Sequence, residues 1–298
     1  MNSYKAFGLY ISSELFFPEL AAASFSVPDV IIRRGCVPDE LQQPLFCGAR
    51  YQAAPNEFLL NVETVAKFYV RQGKEIIIES KPGIDEDSVR LFLLGSAMGA
   101  LLHQRGFFVL HGNAIAINDT CTVVTGHSGA GKSTLAAAFY QQGYRILADD
   151  VCAVSMETGV PMVIPGFPQL KIWKDVADKL QLSTEGLRRV RPQVEKYALP
   201  TRDSFKHDPL PLSTLCILGC HNGDAIELDA PSGLQKFGVL KEHTYRYHFL
   251  RGLGLLSGHL QHMGQLVAAA SIQQIQRPKQ GFGVRKLMTA VVGVCHEG

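Results

Sequence analysis

One nine-residue stretch constrains the fold of this chain more than any other. Residues 126–134 read Gly-His-Ser-Gly-Ala-Gly-Lys-Ser-Thr and match the phosphate-loop pattern G-x-x-x-x-G-K-[ST] in full. Residues 120–125, before the loop, are rich in β-branched side chains typical of a buried strand, and residues 135–140, after it, are good helix formers. Strand, glycine loop and helix in this order predict a phosphate-binding site; a glycine-rich turn with an accidental lysine is the alternative.

The loop residues have defined chemical roles in such a site. Glycines let the backbone curl so that its N–H groups point at phosphate oxygens, and the following helix adds its positive end. Lys132 would reach the β- and γ-phosphates, and the hydroxyl of Ser133 would bind Mg²⁺. The predicted nucleotide-binding residues are Gly126, His127, Ser128, Gly129, Ala130, Gly131, Lys132, Ser133 and Thr134.

Two acidic residues follow the next predicted strand. Residues 144–148 predict a strand that ends at Asp149 and Asp150, a place close to the phosphates and the metal in a phosphate-loop fold. Upstream of the loop, residues 107–117 predict two strands separated by a pause at His111. The alternative for the two aspartates is a turn at the end of a strand, and the alternative for His111 is a structural histidine.

The bulk composition restricts the class of protein. The chain has 298 residues, of which 46% are hydrophobic and 19% charged, as in globular proteins. A net charge of +2 does not indicate nucleic acid binding. No apolar run is long enough for a membrane span, and the first residues lack a signal-peptide core. Seven scattered cysteines favour reduced thiols and a cytoplasmic location.

The order of the predicted elements indicates an α/β fold with two parts. Residues 1–85 form a β-rich N-terminal module, and residues 86–298 form the nucleotide-binding and catalytic domain, with a helix over 84–103 between the two sheets. A hairpin turn at 118–119 introduces antiparallel pairing, so the main sheet is mixed. Further predictions are a helix at 174–180, a strand at 214–218 paired with 225–228, a helical stretch at 234–264 broken at Gly252 and Gly254, and a helix at 266–276.

Three linked motifs resemble the HPr kinase/phosphorylase family. They are His111 with Gly112, the loop at 126–133, and Ala148 followed by Asp149 and Asp150; the resemblance covers residues 107–155. The loop agrees with the family pattern G-x-S-G-x-G-K-S at each position. The resemblance implies a mixed-sheet P-loop kinase core, shared with phosphoenolpyruvate carboxykinases, that uses ATP and Mg²⁺ to phosphorylate a serine hydroxyl.

The resemblance also implies a role for each matching residue. Asp149 would accept the proton of the serine hydroxyl, with His111 beside it, and Lys132 would act at the phosphates. Ser133 would bind the metal, and Asp150 would help to hold the metal or its waters.

The chain departs from that family at two places. Thr134 replaces the glutamate that usually follows the loop serine, and the later Glu-Val/Ile-Arg-Gly stretch has no match. The chain is more similar to HPr-kinase-related proteins of lasso-peptide biosynthesis, which phosphorylate the C-terminal serine of a precursor peptide. The short motifs that carry this resemblance begin at His111, Gly166, Lys196, Tyr245 and Arg277.

The resemblance implies a peptide partner and a homo-oligomer. Lys196, Arg191 and Arg246 are the candidates for binding a peptide carboxylate or the developing phosphate charge, with a solvated basic face as the alternative. Two other functions remain open: a kinase acting on the hydroxyl of another protein or a small molecule, and a nucleotide-binding regulator or peptide-binding module without turnover.

Overall fold

The N-terminal third of the chain forms a nine-stranded mixed sheet. The structure is a computed structural model, and it describes residues 1–281 and 283–296. Strands β2 and β9 pair with β4 in parallel, and the other pairs are antiparallel. The strands are β1 (Asn2–Ala6), β2 (Leu9–Ser13), β3 (Ala21–Ala22), β4 (Val30–Arg34), β5 (Phe46–Cys47), β6 (Tyr51–Ala54), β7 (Glu57–Val62), β8 (Ala66–Arg71) and β9 (Glu75–Ser80). The predicted β-rich character of this region is confirmed, whereas the boundary at residue 85 stays a prediction.

A helical segment connects this sheet to the rest of the chain. It contains α1 (Glu86–Phe92), a π-helical turn (Leu93–Ala97) and α2 (Met98–Gln104). Asp85 caps α1 by accepting a hydrogen bond from the N–H of Ser88 at 2.7 Å. The apolar face packs in one core with both large sheets, so the helix predicted over 84–103 is confirmed.

The second sheet holds the phosphate loop. Its strand order is β11-β10-β12-β13-β16-β18-β17, and β11 also pairs with β16, so that β11, β10, β12, β13 and β16 close into a ring. β16 is parallel to β11 and β18, whereas β10 is antiparallel to both of its neighbours, which confirms a mixed sheet. The strands are β10 (Phe108–Ile117), β11 (Thr120–Gly126), β12 (Ile146–Ser155), β13 (Met162–Ile164), β16 (Leu210–His221), β17 (Glu227–Asp229) and β18 (Ser271–Pro278).

The remaining elements pack around this ring. A two-stranded sheet pairs β14 (Gln169–Trp173) with β15 (Lys196–Pro200). The helices are α3 (Lys132–Gln141), α4 (Lys174–Leu180), a 3₁₀ turn (Arg202–Ser204), α5 (Gln235–His243), α6 (His248–Leu253), α7 (Leu256–Ala269) and α8 (Val284–His296). Within the described residues, no helix has the length and apolarity to cross a membrane. All seven cysteines are free thiols.

Five sequence predictions were wrong in detail. β10 runs without a break through His111, and β12 runs without a break through Asp149 and Asp150. Both strands continue because they pair with each other in antiparallel orientation. The helix predicted at 266–276 ends at Ala269, and β18 follows because the open edge of β16 binds its backbone. The segment around 227–229 pairs with β18 instead of β16, because β11 and β18 pair with the two edges of β16. Within the stretch 234–264, Gly252 lies inside α6, whereas Gly254 ends that helix with φ +73°.

A buried ion network joins the N-terminal sheet region to the second part of the chain. Glu19 accepts hydrogen bonds from Arg90 at 3.2 Å and from Arg188 at 2.6 Å, and its side chain is 7% exposed. Both arginines also contact Asp87 at 2.5 Å. Breaking a buried pair on one side leaves an uncompensated charge in a low-dielectric environment.

We expect Glu19→Gln to lower the free energy of unfolding by about 3 kcal/mol because Arg90 and Arg188 lose a buried counter-charge. Urea denaturation followed by circular dichroism measures the change. Glu63→Gln, at an exposed position, is the matched control and should stay within about 0.5 kcal/mol of the parent protein. Equal effects of the two variants would show that the network contributes no net stability.

Candidate functional site

The segment 126–132 lies between a strand and a helix, as the sequence predicts for a phosphate loop. It connects β11 directly to α3, and Gly131 caps the helix with φ +109°, a conformation that a Cβ disfavours. A Cβ on Gly126 would lie 2.4 Å from the carbonyl oxygen of Leu218 on the neighbouring strand β16. The predicted strand, loop and helix are therefore present, and close backbone approach accounts for the first glycine.

The loop lysine lies across its own loop. The Nζ of Lys132 donates to the carbonyl oxygens of Gly126 at 2.7 Å and His127 at 3.2 Å. Burial lowers the pKa of Lys132, an effect that the nearby charges of Asp150 and Asp149 oppose. The ammonium group of Lys132 therefore lies at the loop itself.

A large open cleft with a volume of about 1180 Å³ lies beside the loop. Six of the nine predicted nucleotide-binding residues line it: Ser128, Gly129, Gly131, Lys132, Ser133 and Thr134. Gly126 and Ala130 are buried beneath it. His127 turns instead towards α5, where its Nε2 lies 2.8 Å from Glu242.

The paired aspartates are close to the loop but have different surroundings. β12 places Asp149 opposite Asn113 and Asp150 opposite Gly112 of β10. Asp149 is 6% exposed and is not part of the cleft lining, whereas Asp150 lines the cleft. Asp149 accepts a hydrogen bond at Oδ1 from the side-chain amide of Asn113 at 2.5 Å and at Oδ2 from the backbone N–H of Lys171 at 2.7 Å.

The two carboxyl groups are also electrostatically different. Burial and the adjacent charge of Asp150 raise the pKa of Asp149 above the usual range for aspartate. Burial alone would also raise the pKa of Asp150, but the cations of Lys171 and Lys196 lower it below that range. The pair therefore combines one carboxylate that takes up a proton more readily than usual with one that stays ionised.

His111 lines the same cleft as Asp150. Its Nδ1 lies 3.0 Å from the backbone carbonyl oxygen of Asp150, which favours protonation of that nitrogen and leaves Nε2 as the other ring nitrogen. Burial lowers the pKa of His111, an effect that Asp150 opposes and Lys132 reinforces. The histidine, the lysine and Asp150 thus face one space.

Of the three basic residues predicted to bind substrate, Lys196 is the one that lines the cleft. Its Nζ lies 5.5 Å from the ring centroid of Trp173, a cation–π arrangement. Arg191 lies over Phe92, with a buried Nε that has no hydrogen-bond partner among the described residues. Arg246 is exposed outside the cleft lining, next to Tyr245. The roles of all three stay predictions.

Sequence reasoning assigned no site role to three residues that the fold brings to the loop and the aspartates. Asn113 and Lys171 both bind Asp149, and Arg277 donates through Nε to the carbonyl oxygen of Ala130 at 2.9 Å. A lysine between two apolar residues of a buried strand, as at 170–172, is a signal that a carboxylate partner lies nearby.

The donor atoms of the cleft fit a magnesium ion in type. Ser133 and Asp150 offer hydroxyl and carboxylate oxygens, the ligands that Mg²⁺ prefers. Within the described residues, no group of three or more His, Cys, Asp and Glu side chains is arranged to hold a metal. A magnesium ion here would therefore depend on phosphate oxygens and water for its other ligands, as is usual for nucleotide-bound Mg²⁺.

Comparison with known proteins finds distant similarity to solved structures. None of the protein-family models matches the chain, and no curated protein matches it. Among solved structures, the chain is similar to the Hpr(Ser) kinase/phosphatase from Coxiella burnetii, with 12% sequence identity and a TM-score of 0.33, over 63% of this chain and 90% of that chain. At this level the similarity assigns no activity, which has to be inferred from the residues of the cleft.

Proposed function

We propose that the protein is an ATP- and Mg²⁺-dependent kinase that transfers the γ-phosphate to a serine hydroxyl of a peptide. The observation that supports this most is that Lys132 and Ser133 share one cleft with Asp150 and His111, and that Asp149 precedes Asp150 on the same strand. Hydroxyl phosphorylation needs a phosphate site beside a group that removes a proton, and the loop and Asp149 would supply these two parts.

In this mechanism Asp149 accepts the proton. The oxygen of the serine forms a bond to the γ-phosphorus, the bond to the β-phosphate oxygen breaks, and ADP leaves. The raised pKa of Asp149 makes it a stronger base than an ordinary aspartate. Each of its oxygens accepts one hydrogen bond and keeps a second lone pair for an incoming hydroxyl.

The other residues stabilise negative charge and orient the reactants. Lys132 and the loop amides neutralise charge that spreads over the transferring phosphoryl group. Mg²⁺, when bound through Ser133 and Asp150, would supply further positive charge at the phosphates. His111 contacts the backbone of Asp150 and so helps to fix the position of that carboxylate.

For the acceptor, we propose a peptide that ends in serine. Lys196 places a cation in the cleft within the electrostatic range of both aspartates, where the α-carboxylate of a C-terminal residue would be neutralised. Trp173, with 46% of its surface exposed beside Lys196, offers an apolar contact to the preceding residues. We also propose a cytoplasmic location and a homo-oligomer.

Mass spectrometry after incubation with ATP, Mg²⁺ and short peptides tests the acceptor. We expect a phosphate group on the last residue of a serine-ended peptide and much less on the same peptide with a C-terminal amide, because the amide offers no charge to Lys196. The same peptide ending in alanine is the control. Phosphate on small alcohols, but on none of the peptides, would support a small-molecule kinase instead.

A further inference from the structure

We propose that Lys171 is a positioning residue that holds the two aspartates in their different orientations, an inference that rests on the proposed kinase function. Lys171 contacts each aspartate through a different part of the same residue. Its backbone N–H donates to Oδ2 of Asp149 at 2.7 Å, and its Nζ donates to Oδ2 of Asp150 at 2.8 Å.

The orientation of Asp150 is unusual for a strand. Consecutive strand residues normally point to opposite faces of a sheet, yet both carboxylates of β12 meet Lys171. Asp150 has φ +67°, a left-handed conformation that costs free energy for a residue with a side chain. The ion pair with Lys171 offsets that cost, and the contact between His111 and the backbone oxygen of Asp150 supports the same conformation.

Lys171 itself is firmly placed. Its side chain is 9% exposed, and strand β14 pairs with β15 over five residue pairs. Before the strand, the N–H of Gly166 donates to the carbonyl oxygen of Leu147 on β12 at 2.7 Å, so β14 starts in fixed register with the strand that carries the aspartates. A Cβ on Gly166 would lie 3.2 Å from the ring of Phe7, so this approach leaves little space.

The charge of Lys171 also permits the two carboxylates to lie together. Two negative charges out of water repel each other and lose hydration, and a buried cation with direct hydrogen bonds compensates for part of this. With the ammonium removed, we expect Asp150 to leave its left-handed position, while Asp149 keeps the backbone hydrogen bond that any residue at position 171 can donate.

Two substitutions separate the ammonium from the backbone contact. Lys171→Met removes the cation and keeps the chain length, and Lys171→Arg keeps a cation. At saturating Mg²⁺, we expect Lys171→Met to lower kcat for phosphate transfer at least about tenfold, the usual effect of losing an orienting partner, with a nearly unchanged KM for ATP. Lys171→Arg should recover part of this loss, which a purely structural role would not produce. Lys171→Gln replaces the methionine variant if that one does not fold.

Lys67→Met is the matched control because Lys67 forms an ion pair with Asp39 on the N-terminal sheet, away from the cleft. It should transfer phosphate at the parental rate. A parental kcat in Lys171→Met would overturn the proposal, and so would an arginine variant no better than the methionine variant.

A crystal structure of Lys171→Met gives a readout that does not depend on activity. We expect the carboxylate of Asp150 to move from its parental position and φ of this residue to change. An unchanged Asp150 would overturn the role of Lys171 whatever the kinetics. If the parent protein transfers no phosphate to any hydroxyl, the proposed kinase function fails, and this structural comparison still decides whether Lys171 positions the aspartates.

Discussion

Lys132→Ala should reduce phosphate transfer on the order of 10²–10³-fold, the usual loss when one stabilising group is removed from a transition state. ATP binding should weaken about tenfold or more because a charge-assisted contact to phosphate is lost. The Nζ of Lys132 donates to the carbonyl oxygens of Gly126 and His127, so its cation lies at the loop where phosphates are expected. Isothermal titration calorimetry with ATP and Mg²⁺ measures the affinity, and rapid-quench kinetics measure the transfer.

Lys206→Ala is the control for this experiment. Lys206 pairs with Asp208 at 3.0 Å and lies outside the cleft lining. We expect the parental affinity and rate for this variant. Parental ATP affinity in Lys132→Ala would contradict the assignment of residues 126–134 as the phosphate site.

Asp149→Asn should reduce phosphate transfer about 10²–10⁴-fold because an amide cannot accept the proton of the attacking hydroxyl. Nucleotide binding should be nearly unchanged, since the proposed role of Asp149 is at the acceptor hydroxyl and not at the nucleotide. Asp150→Asn should instead weaken the Mg²⁺ dependence of the reaction, because Asp150 faces the cleft and is the carboxylate available to a metal.

The pair of variants therefore assigns the two roles separately. Single-turnover transfer measures the role of Asp149 as the base. Titration of Mg²⁺ at saturating ATP measures the role of Asp150 in metal binding. Asp119→Asn, in the exposed turn between β10 and β11, is the control and should behave as the parent protein does. Parental transfer in Asp149→Asn would remove Asp149 as the base.

The sequence was most informative where structure depends on neighbours along the chain. The loop, its flanking strand and helix, and the hairpin at 118–119 follow from local residue types, and each is present. The helix predicted over 266–276 shows where this reasoning stops. Ile272 and Ile275 have helical spacing, but this segment forms a strand because it pairs with the edge of β16. No local sequence pattern reveals that edge.

The candidate site was predictable in part for the same reason. Asp149, Asp150, Lys132 and His111 stand in short motifs, so the sequence could nominate them. Lys171 could not be assigned, because its contact with the aspartates depends on how β14 lies against β12, some twenty residues apart in sequence. The basic residues illustrate the same limit: Lys196 lines the cleft and Arg191 does not, although they lie in one basic stretch.

The fate of the γ-phosphate tests the central claim most directly. The parent protein, ATP labelled at the γ-position, Mg²⁺ and serine-ended peptides would be incubated together, with the label followed into peptide, inorganic phosphate and remaining ATP. We predict that the label appears in a peptide phosphoserine and that Lys132→Ala lowers this signal on the order of 10²–10³-fold. Tight binding of ATP with all of the label left in ATP, or released only as inorganic phosphate across peptide and small-alcohol acceptors, would contradict a hydroxyl kinase and favour a nucleotide-binding regulator or a hydrolase.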